Sequence, residues 1–165
     1  MPVFEARYRV WWSETDAAGI VHFSNFFRYC ERAEEEFLRG LGVRCCRAEP
    51  GDAAIRGPRF VMPRVRAECE YLFPLWPGDE YSVSIDDVVL GRKSIQYRFT
   101  IRNLTRGGRV SARCTIVAVA YDTERGEAIE IPGDVRDALL KAGARLRDDV
   151  AAGGAAGGAG APPRG

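Results

Sequence analysis

A short stretch of this chain places an acidic side chain directly before the start of a helix. Asp16 lies in a polar loop that contains Gly19 and ends at Phe23, and a helical pattern begins at Ser24. The first turn of a helix leaves backbone N–H groups without partners and carries partial positive charge. A reaction that needs a base or nucleophile and builds negative charge on a carbonyl oxygen would use both features.

The composition indicates a folded protein of one domain. The chain has 165 residues, of which 46% are hydrophobic and 28% are charged, and its formal net charge is +1. This balance gives no electrostatic attraction toward nucleic acid or an anionic membrane. The sequence also lacks an apolar run of about 20 residues and a secretory signal pattern, so we expect a cytoplasmic protein without a membrane span.

The five cysteines do not form a recognisable metal or disulfide pattern. They are odd in number, lack a CxxC pair and share the chain with one histidine, which makes a zinc site a poor expectation. We therefore expect reduced cysteines in the core, with an intracellular disulfide as the alternative known from thermophiles. The cysteines are Cys30, Cys45, Cys46, Cys69 and Cys114.

The strongest helical pattern covers residues 24–41, where apolar side chains recur every three or four positions. Ser24 or Asn25 can cap its start, and Gly42 can end it. The predicted apolar stripe consists of Phe26, Cys30, Ala33, Phe37 and Leu41.

Alternation of apolar and polar residues predicts strands on both sides of this helix. A first strand covers residues 7–12, and a connection rich in Gly and Pro covers residues 45–58. Gly107-Gly108 predicts a hairpin turn. The later elements are strands at residues 65–73, 81–85, 95–102 and 110–121, and a short helix at residues 135–142.

This order of elements predicts an α+β fold in which an antiparallel sheet curls around one helix. A single long helix with a broad apolar stripe needs a sheet wide enough to cover it. We expect this domain to span residues 1–145. Residues 146–165 are rich in Ala, Gly and Pro and are expected to form a disordered tail.

The segment Asp16-Ala17-Ala18-Gly19-Ile20-Val21-His22-Phe23, followed by an aromatic and acidic helix, resembles the 4-hydroxybenzoyl-CoA thioesterase family of hot-dog proteins. Weaker matches are residues 71–74, 78–80 and 91–94, Asp122, and Ile131-Pro132. The resemblance implies a hot-dog fold, with an antiparallel sheet of five or slightly more strands wrapped around one long central helix.

The same resemblance implies roles for four residues of this segment. Asp16 takes the position of the catalytic carboxylate, as a general base or as a nucleophile. The backbone N–H of Phe23 would polarise the thioester carbonyl, and Gly19 would allow the tight turn before it. His22 takes a supporting place in substrate binding.

Other candidates are assigned less specifically. Arg92 and Lys93, at a predicted strand turn, are candidates for the coenzyme A phosphates. Glu31 or Glu35 is the alternative acid, because related branches place a glutamate on the central helix. The tryptophans Trp11, Trp12 and Trp76 are expected in the core, in an interface or along an acyl pocket.

The resemblance therefore implies an acyl-CoA thioesterase that releases a free acid and coenzyme A, without a metal or redox cofactor. Hot-dog proteins resemble one another in forming homodimers, often paired into homotetramers as dimers of dimers. Two alternatives are a hot-dog dehydratase or hydratase and a non-catalytic acyl-binding module. The acyl group, and coenzyme A against acyl-carrier protein as its carrier, stay open at this point.

Overall fold

The computed structural model describes residues 1–43 and 60–154. The predicted connection at residues 45–58, with Cys45 and Cys46, lies outside the described residues, as do residues 155–165 of the predicted tail. In the described part, a 3-10 turn, Trp12–Glu14, separates the first strand from the central helix. The helices are α1, Asn25–Gly40, α2, Gly133–Lys141, and α3, Asp148–Gly154. The strands are β1, Phe4–Arg9; β2, Phe60–Val61; β3, Arg64–Tyr71; β4, Glu80–Leu90; β5, Ser94–Asn103; β6, Arg109–Val119; β7, Tyr121–Asp122; β8, Glu127–Ala128; and β9, Arg145–Leu146.

The main sheet has six strands, and its order does not follow the chain. Its path is β1-β4-β5-β6-β3 with antiparallel neighbours, and β9 joins β4 in parallel. Strand β3 pairs with β6 at one end of this path, and β1 lies at the other end. Strands β2, β7 and β8 form a separate small sheet. The predicted antiparallel sheet around one helix is confirmed.

The core lies between α1 and the sheet face that curves around it. Four of the five residues in the predicted stripe are buried, and Leu41 is half-buried. They meet alternating apolar residues of the middle strands, such as Val83, Ile85, Phe99 and Ile101, each at most 1% exposed. Burial of these side chains is the main favourable contribution to folding.

A buried ion pair ties α1 to the edge strand β3. Glu34 is 3% exposed. Its carboxylate oxygens accept hydrogen bonds of 2.9 and 2.7 Å from the two terminal nitrogens of Arg64. Burial raises the pKa of the Glu34 carboxyl, and the charge of Arg64 opposes this shift. The pair fixes the position where the chain enters β3.

The structure corrects the expected positions of two tryptophans. The first strand ends at Arg9, and the chain then turns, so Trp12 does not continue the buried face of Tyr8 and Val10. Trp11 is 65% exposed and Trp12 is 84% exposed, so neither lies in the core of this chain. Their expected place in an interface or an acyl pocket stays a prediction.

The cysteines also differ from the expectation of fully reduced thiols. Cys69 of β3 lies opposite Cys114 of β6, and the two form a disulfide. Cys30 of α1 is free and buried, as expected for a core cysteine. The two cysteines are 45 residues apart in the sequence, and no pattern there predicted the disulfide. The disulfide depends on the pairing of β3 with β6.

The C-terminal part of the described chain continues past residue 145. Strand β9 pairs with β4, and α3 covers Asp148–Gly154, so regular structure is present in part of the segment assigned to the tail. Among the helices of the described residues, none is long and apolar enough to cross a membrane.

Candidate active site

The loop that carries Asp16 is closed by backbone contacts at its base. Thr15 and Val21 form an isolated antiparallel bridge. Inside it, the Asp16 amide donates to the Ile20 carbonyl, and the Asp16 carbonyl accepts from the Gly19 amide, both at 3.0 Å. Gly19 has a φ of 76°, in the left-handed region that favours glycine. The sequence thus supplies a glycine at the position where the loop must reverse.

The two oxygens of the Asp16 carboxylate are in different surroundings. Oδ1 accepts a 2.8 Å hydrogen bond from the Ala18 amide, which fixes the orientation of the side chain. Within residues 1–43 and 60–154, no protein group donates to Oδ2. Asp16 is half-buried, and Oδ2 is the oxygen left without a protein donor to interact with a water molecule or a substrate carbon.

The start of α1 presents a free backbone donor a few residues later. The Asn25 amide donates to the His22 carbonyl at 2.9 Å, and Ser24 already has helical angles. Within the described residues, the Phe23 amide has no acceptor. Because partial positive charge accumulates at this end of a helix, the Phe23 N–H is suited to bind a developing oxyanion.

His22 stabilises this helix terminus. Its Nδ1 accepts a 3.2 Å hydrogen bond from the Ser24 amide and lies 2.8 Å from the Ser24 hydroxyl. The Ser24 side chain makes no capping bond to the helix, contrary to one of the two caps expected from the sequence.

Aromatic residues cover the side of the site that faces β3. The Tyr71 hydroxyl donates to the Phe23 carbonyl at 3.1 Å. The Phe23 ring lies 4.4 Å from the His22 ring and 6.4 Å from the Tyr71 ring, and Phe26 packs edge-on against Tyr71. Phe23 remains 61% exposed and Tyr71 45% exposed, so part of an aromatic surface faces solvent next to the free donor.

The predicted coenzyme A phosphate residues have partners within the chain. Arg92 forms a 2.6 Å ion pair with Glu130, and Lys93 donates to the Ala128 carbonyl at 2.8 Å. The paired carboxylate raises the pKa of Arg92, which keeps its full charge at the surface. Binding of coenzyme A phosphates by these two residues stays a prediction.

The alternative acids on the central helix lie among arginines. Glu31 is 3.9 Å from Arg64, and Glu35 forms an ion pair with Arg39 on the exposed face of α1.

The sequence did not assign three residues of the site: Glu14, Asn25 and Tyr71. Asn25 was considered only as a helix cap. Across the described ranges, no group of three His, Cys, Asp or Glu side chains is placed to hold a metal ion.

Comparison with known proteins identifies the family of this chain. The model of the thioesterase-like superfamily matches residues 10–139, which include the Asp16 loop, α1 and strands β3, β4, β5 and β6 of the main sheet. The chain belongs to this superfamily. It is 34% identical over 122 residues to the 1,4-dihydroxy-2-naphthoyl-CoA hydrolase of Synechococcus sp. (strain CC9311), covering 72% of this chain and 77% of the relative.

Solved structures of thioesterases share the fold. The 1,4-dihydroxy-2-naphthoyl-CoA thioesterase of Synechocystis aligns with a TM-score of 0.71 over 83% of this chain and 95% of its own, at 20% identity. The gentisyl-coenzyme A thioesterase aligns with a TM-score of 0.66 over 82% of this chain and 98% of its own, at 27% identity. The fold of this chain is therefore that of the hot-dog thioesterases.

Proposed function

We propose that this protein hydrolyses an acyl-CoA thioester to a free acid and coenzyme A, with Asp16 as the reacting group and the Phe23 amide as the oxyanion donor. One observation carries the proposal: the same short loop presents a carboxylate oxygen and a helix N-terminal N–H, both without protein partners in the described residues. Membership of the thioesterase-like superfamily supports thioester hydrolysis as the reaction.

The chemistry uses the two groups together. As the thioester carbonyl is attacked, negative charge moves to its oxygen, where the Phe23 N–H and the α1 dipole stabilise it. Asp16 acts either as a base that takes a proton from the attacking water or as a nucleophile that forms a mixed anhydride. In the second route, water cleaves the anhydride and restores the carboxylate. In both, the C–S bond breaks and coenzyme A leaves as a thiolate.

We propose an aromatic acyl group as the substrate class. The relatives named above act on dihydroxynaphthoyl-CoA and gentisyl-CoA, both of which carry hydroxylated rings. In this chain, Phe23, Tyr71 and His22 offer aromatic side chains close to the proposed oxyanion donor. Offset or edge-on ring contacts favour a flat acyl group over a flexible alkyl chain.

The active assembly is proposed to be a homodimer, which can pair further into a homotetramer. Within the described residues, strand β3 has a sheet neighbour only on its β6 side, and large apolar side chains at or beside it are exposed. Val65 is 62% exposed, and Tyr71 and Leu72 are each 45% exposed. An unpaired edge with exposed apolar residues favours pairing with a second copy.

We also propose that the protein is cytoplasmic and that the reaction uses no metal or redox cofactor. A thiolate is a good leaving group, so the reaction needs no strong general acid, and the hydrogen-bond donor at the helix terminus can polarise the carbonyl in place of a metal ion. We expect activity to persist after dialysis against EDTA, and a loss that added metal restores would contradict this. The Cys69–Cys114 disulfide weighs against this location, because disulfides are rare in the cytosol of mesophiles.

A panel of acyl-CoA substrates tests the function. Release of free thiol is followed with hydroxylated aryl-CoAs, benzoyl-CoA and aliphatic acyl-CoAs of several chain lengths. The proposal predicts hydrolysis, with the highest kcat/KM for aryl-CoAs. Preference for an aliphatic substrate would contradict the proposed substrate class alone. Absence of thiol release from every acyl-CoA would contradict the thioesterase function and favour a hydratase or a binding module.

A further inference from the structure

Glu14 lies two residues before Asp16, where several segments around the loop meet. Its Oε2 accepts hydrogen bonds from the Tyr29 hydroxyl and the Trp11 amide, both at 2.8 Å. The Arg32 guanidinium lies 3.5 Å from Oε1. The Glu14 side chain is only 13% exposed, so these contacts are largely shielded from water. One carboxylate therefore joins the 3-10 turn to two successive turns of α1.

The backbone of the same residue holds the other end of the loop. The Glu14 carbonyl accepts a 2.9 Å hydrogen bond from the His22 amide and a 2.7 Å bond from Asn25 Nδ2. The Asn25 amide in turn donates to the His22 carbonyl. Phe23, whose amide is the proposed oxyanion donor, thus lies between two residues that are both fixed to Glu14.

A buried pair of aromatic rings fixes the position of Tyr29, which donates to the Glu14 carboxylate. The rings of Tyr29 and Tyr81 stack at a centroid distance of 4.4 Å, and both residues are fully buried. Arg32 donates to the Tyr81 hydroxyl at 3.2 Å. Burial raises the pKa of both tyrosines far above the usual range, so their hydroxyls stay protonated at every working pH. Tyr29 consequently remains a donor to Glu14.

We infer that Glu14 is the positioning residue of this site: it holds the Asp16 loop in register with the Phe23 amide. The inference rests on the proposed function for its catalytic meaning. Glu14 acts through the loop and does not itself react with the substrate. Attack on a carbonyl requires nucleophile and oxyanion donor to be aligned, and a displacement of about 1 Å can lower the rate about 100-fold.

Glu14→Gln tests the inference, because it keeps the side-chain length and one acceptor oxygen but removes the charge. Glu36→Gln is the matched control, since Glu36 accepts the Tyr8 hydroxyl at 2.9 Å on the exposed side of α1. For Glu14→Gln we expect kcat to fall about 10- to 100-fold while KM stays within about twofold. Hydrogen exchange of peptides covering residues 15–24 should accelerate, and that of β5 should not. The control should match wild type in every readout.

The measurements separate this inference from the proposed function. Wild type and Asp16→Asn are assayed alongside, with kcat expressed per folded protein. If both the thioesterase activity and its dependence on Asp16 are present but Glu14→Gln retains wild-type kcat, the positioning role is wrong and the function stands. If no variant cleaves a thioester, the proposed function fails, and hydrogen exchange still decides whether Glu14 holds the loop. Unchanged exchange at residues 15–24 would overturn the inference in either case.

Discussion

At the scale of single residues, the two oxygens of the Asp16 carboxylate have different roles. Oδ1 is occupied by the Ala18 amide, whereas Oδ2 has no donor in the described part of the chain. The bound oxygen fixes the plane of the carboxylate, so the free one has a defined direction. This arrangement suits both a base and a nucleophile, because each requires one accessible oxygen.

His22 is expected to support the site without transferring a proton. Its Nδ1 accepts the Ser24 amide, so the ring helps to set the geometry of the helix start. We expect His22→Phe to lower kcat less than about tenfold, because general acid–base groups contribute about 100-fold or more. Steady-state thiol release with the preferred acyl-CoA measures this. A fall of 100-fold or more would instead place the imidazole in a proton transfer.

The resemblance to the thioesterase family proposed part of the site from one short segment, but not the residues that are distant in the sequence. Asp16, Gly19 and Phe23 lie within one loop and one helix start, and their arrangement follows from the short segment that contains them. Glu14 was missed because its partner Tyr29 is 15 residues away and becomes a neighbour only when the turn packs against α1. Tyr71 is 48 residues from Phe23, and no sequence pattern indicates their contact.

At the scale of elements, α1 is positioned by its apolar stripe and by the Glu34–Arg64 pair. The stripe determines which face of the helix meets the sheet, as the sequence periodicity predicted. The ion pair adds a link to β3, the strand that supplies Tyr71 to the site. The positions of the long strands were predictable from the alternation of apolar and polar residues, but the order of the strands in the sheet was not. Pairing of β3 with β6 joins segments far apart in the chain, as does the Cys69–Cys114 disulfide.

Removing one member of the buried pair should strongly destabilise the fold. Arg64→Ala leaves the Glu34 carboxylate buried without its main partner, so we expect the free energy of unfolding to fall by about 3 kcal/mol. Arg39→Ala is the control, because Arg39 and Glu35 are both exposed and their pair should contribute less than about 1 kcal/mol. Urea denaturation of both variants at neutral pH gives the comparison.

The pH dependence of the Arg64→Ala variant gives an independent check. Without Arg64, burial and the nearby Glu31 both raise the pKa of Glu34 in the folded state. The folded protein then binds the proton more tightly than the unfolded chain, so the free energy of unfolding falls as pH rises above the usual carboxyl range. The deficit relative to wild type should therefore shrink from pH 8 to pH 5. A deficit that is independent of pH would contradict a buried, unpaired carboxylate.

At the scale of the whole molecule, the proposed dimer brings the edge of β3 and the aromatic side of the site to the same interface. Tyr71 belongs to this edge and also binds the Phe23 carbonyl. Dimer formation would therefore bury the surface next to the oxyanion donor. The exposed Trp11 and Trp12 lie at the start of the same loop.

A charged side chain on the β3 edge should separate the subunits. Val65→Arg places a charge where we expect apolar burial, so light scattering with size-exclusion chromatography should show a monomer with reduced thioesterase activity. Val65→Thr keeps the branched shape and strand propensity, and we expect it to remain a dimer. A wild-type protein that elutes as a monomer would contradict the proposed assembly, as would a Val65→Arg variant that stays dimeric.

The measurement that tests the account most directly compares Asp16→Asn with Asp134→Asn. Asp134 also lies at the beginning of a helix, in the first turn of α2, and is exposed. With the preferred acyl-CoA, the account predicts a fall in kcat of at least about 100-fold for Asp16→Asn, as expected when an acid–base group or nucleophile is lost. Asp134→Asn should keep wild-type kcat. An Asp16→Asn enzyme within about tenfold of wild type would contradict the central claim.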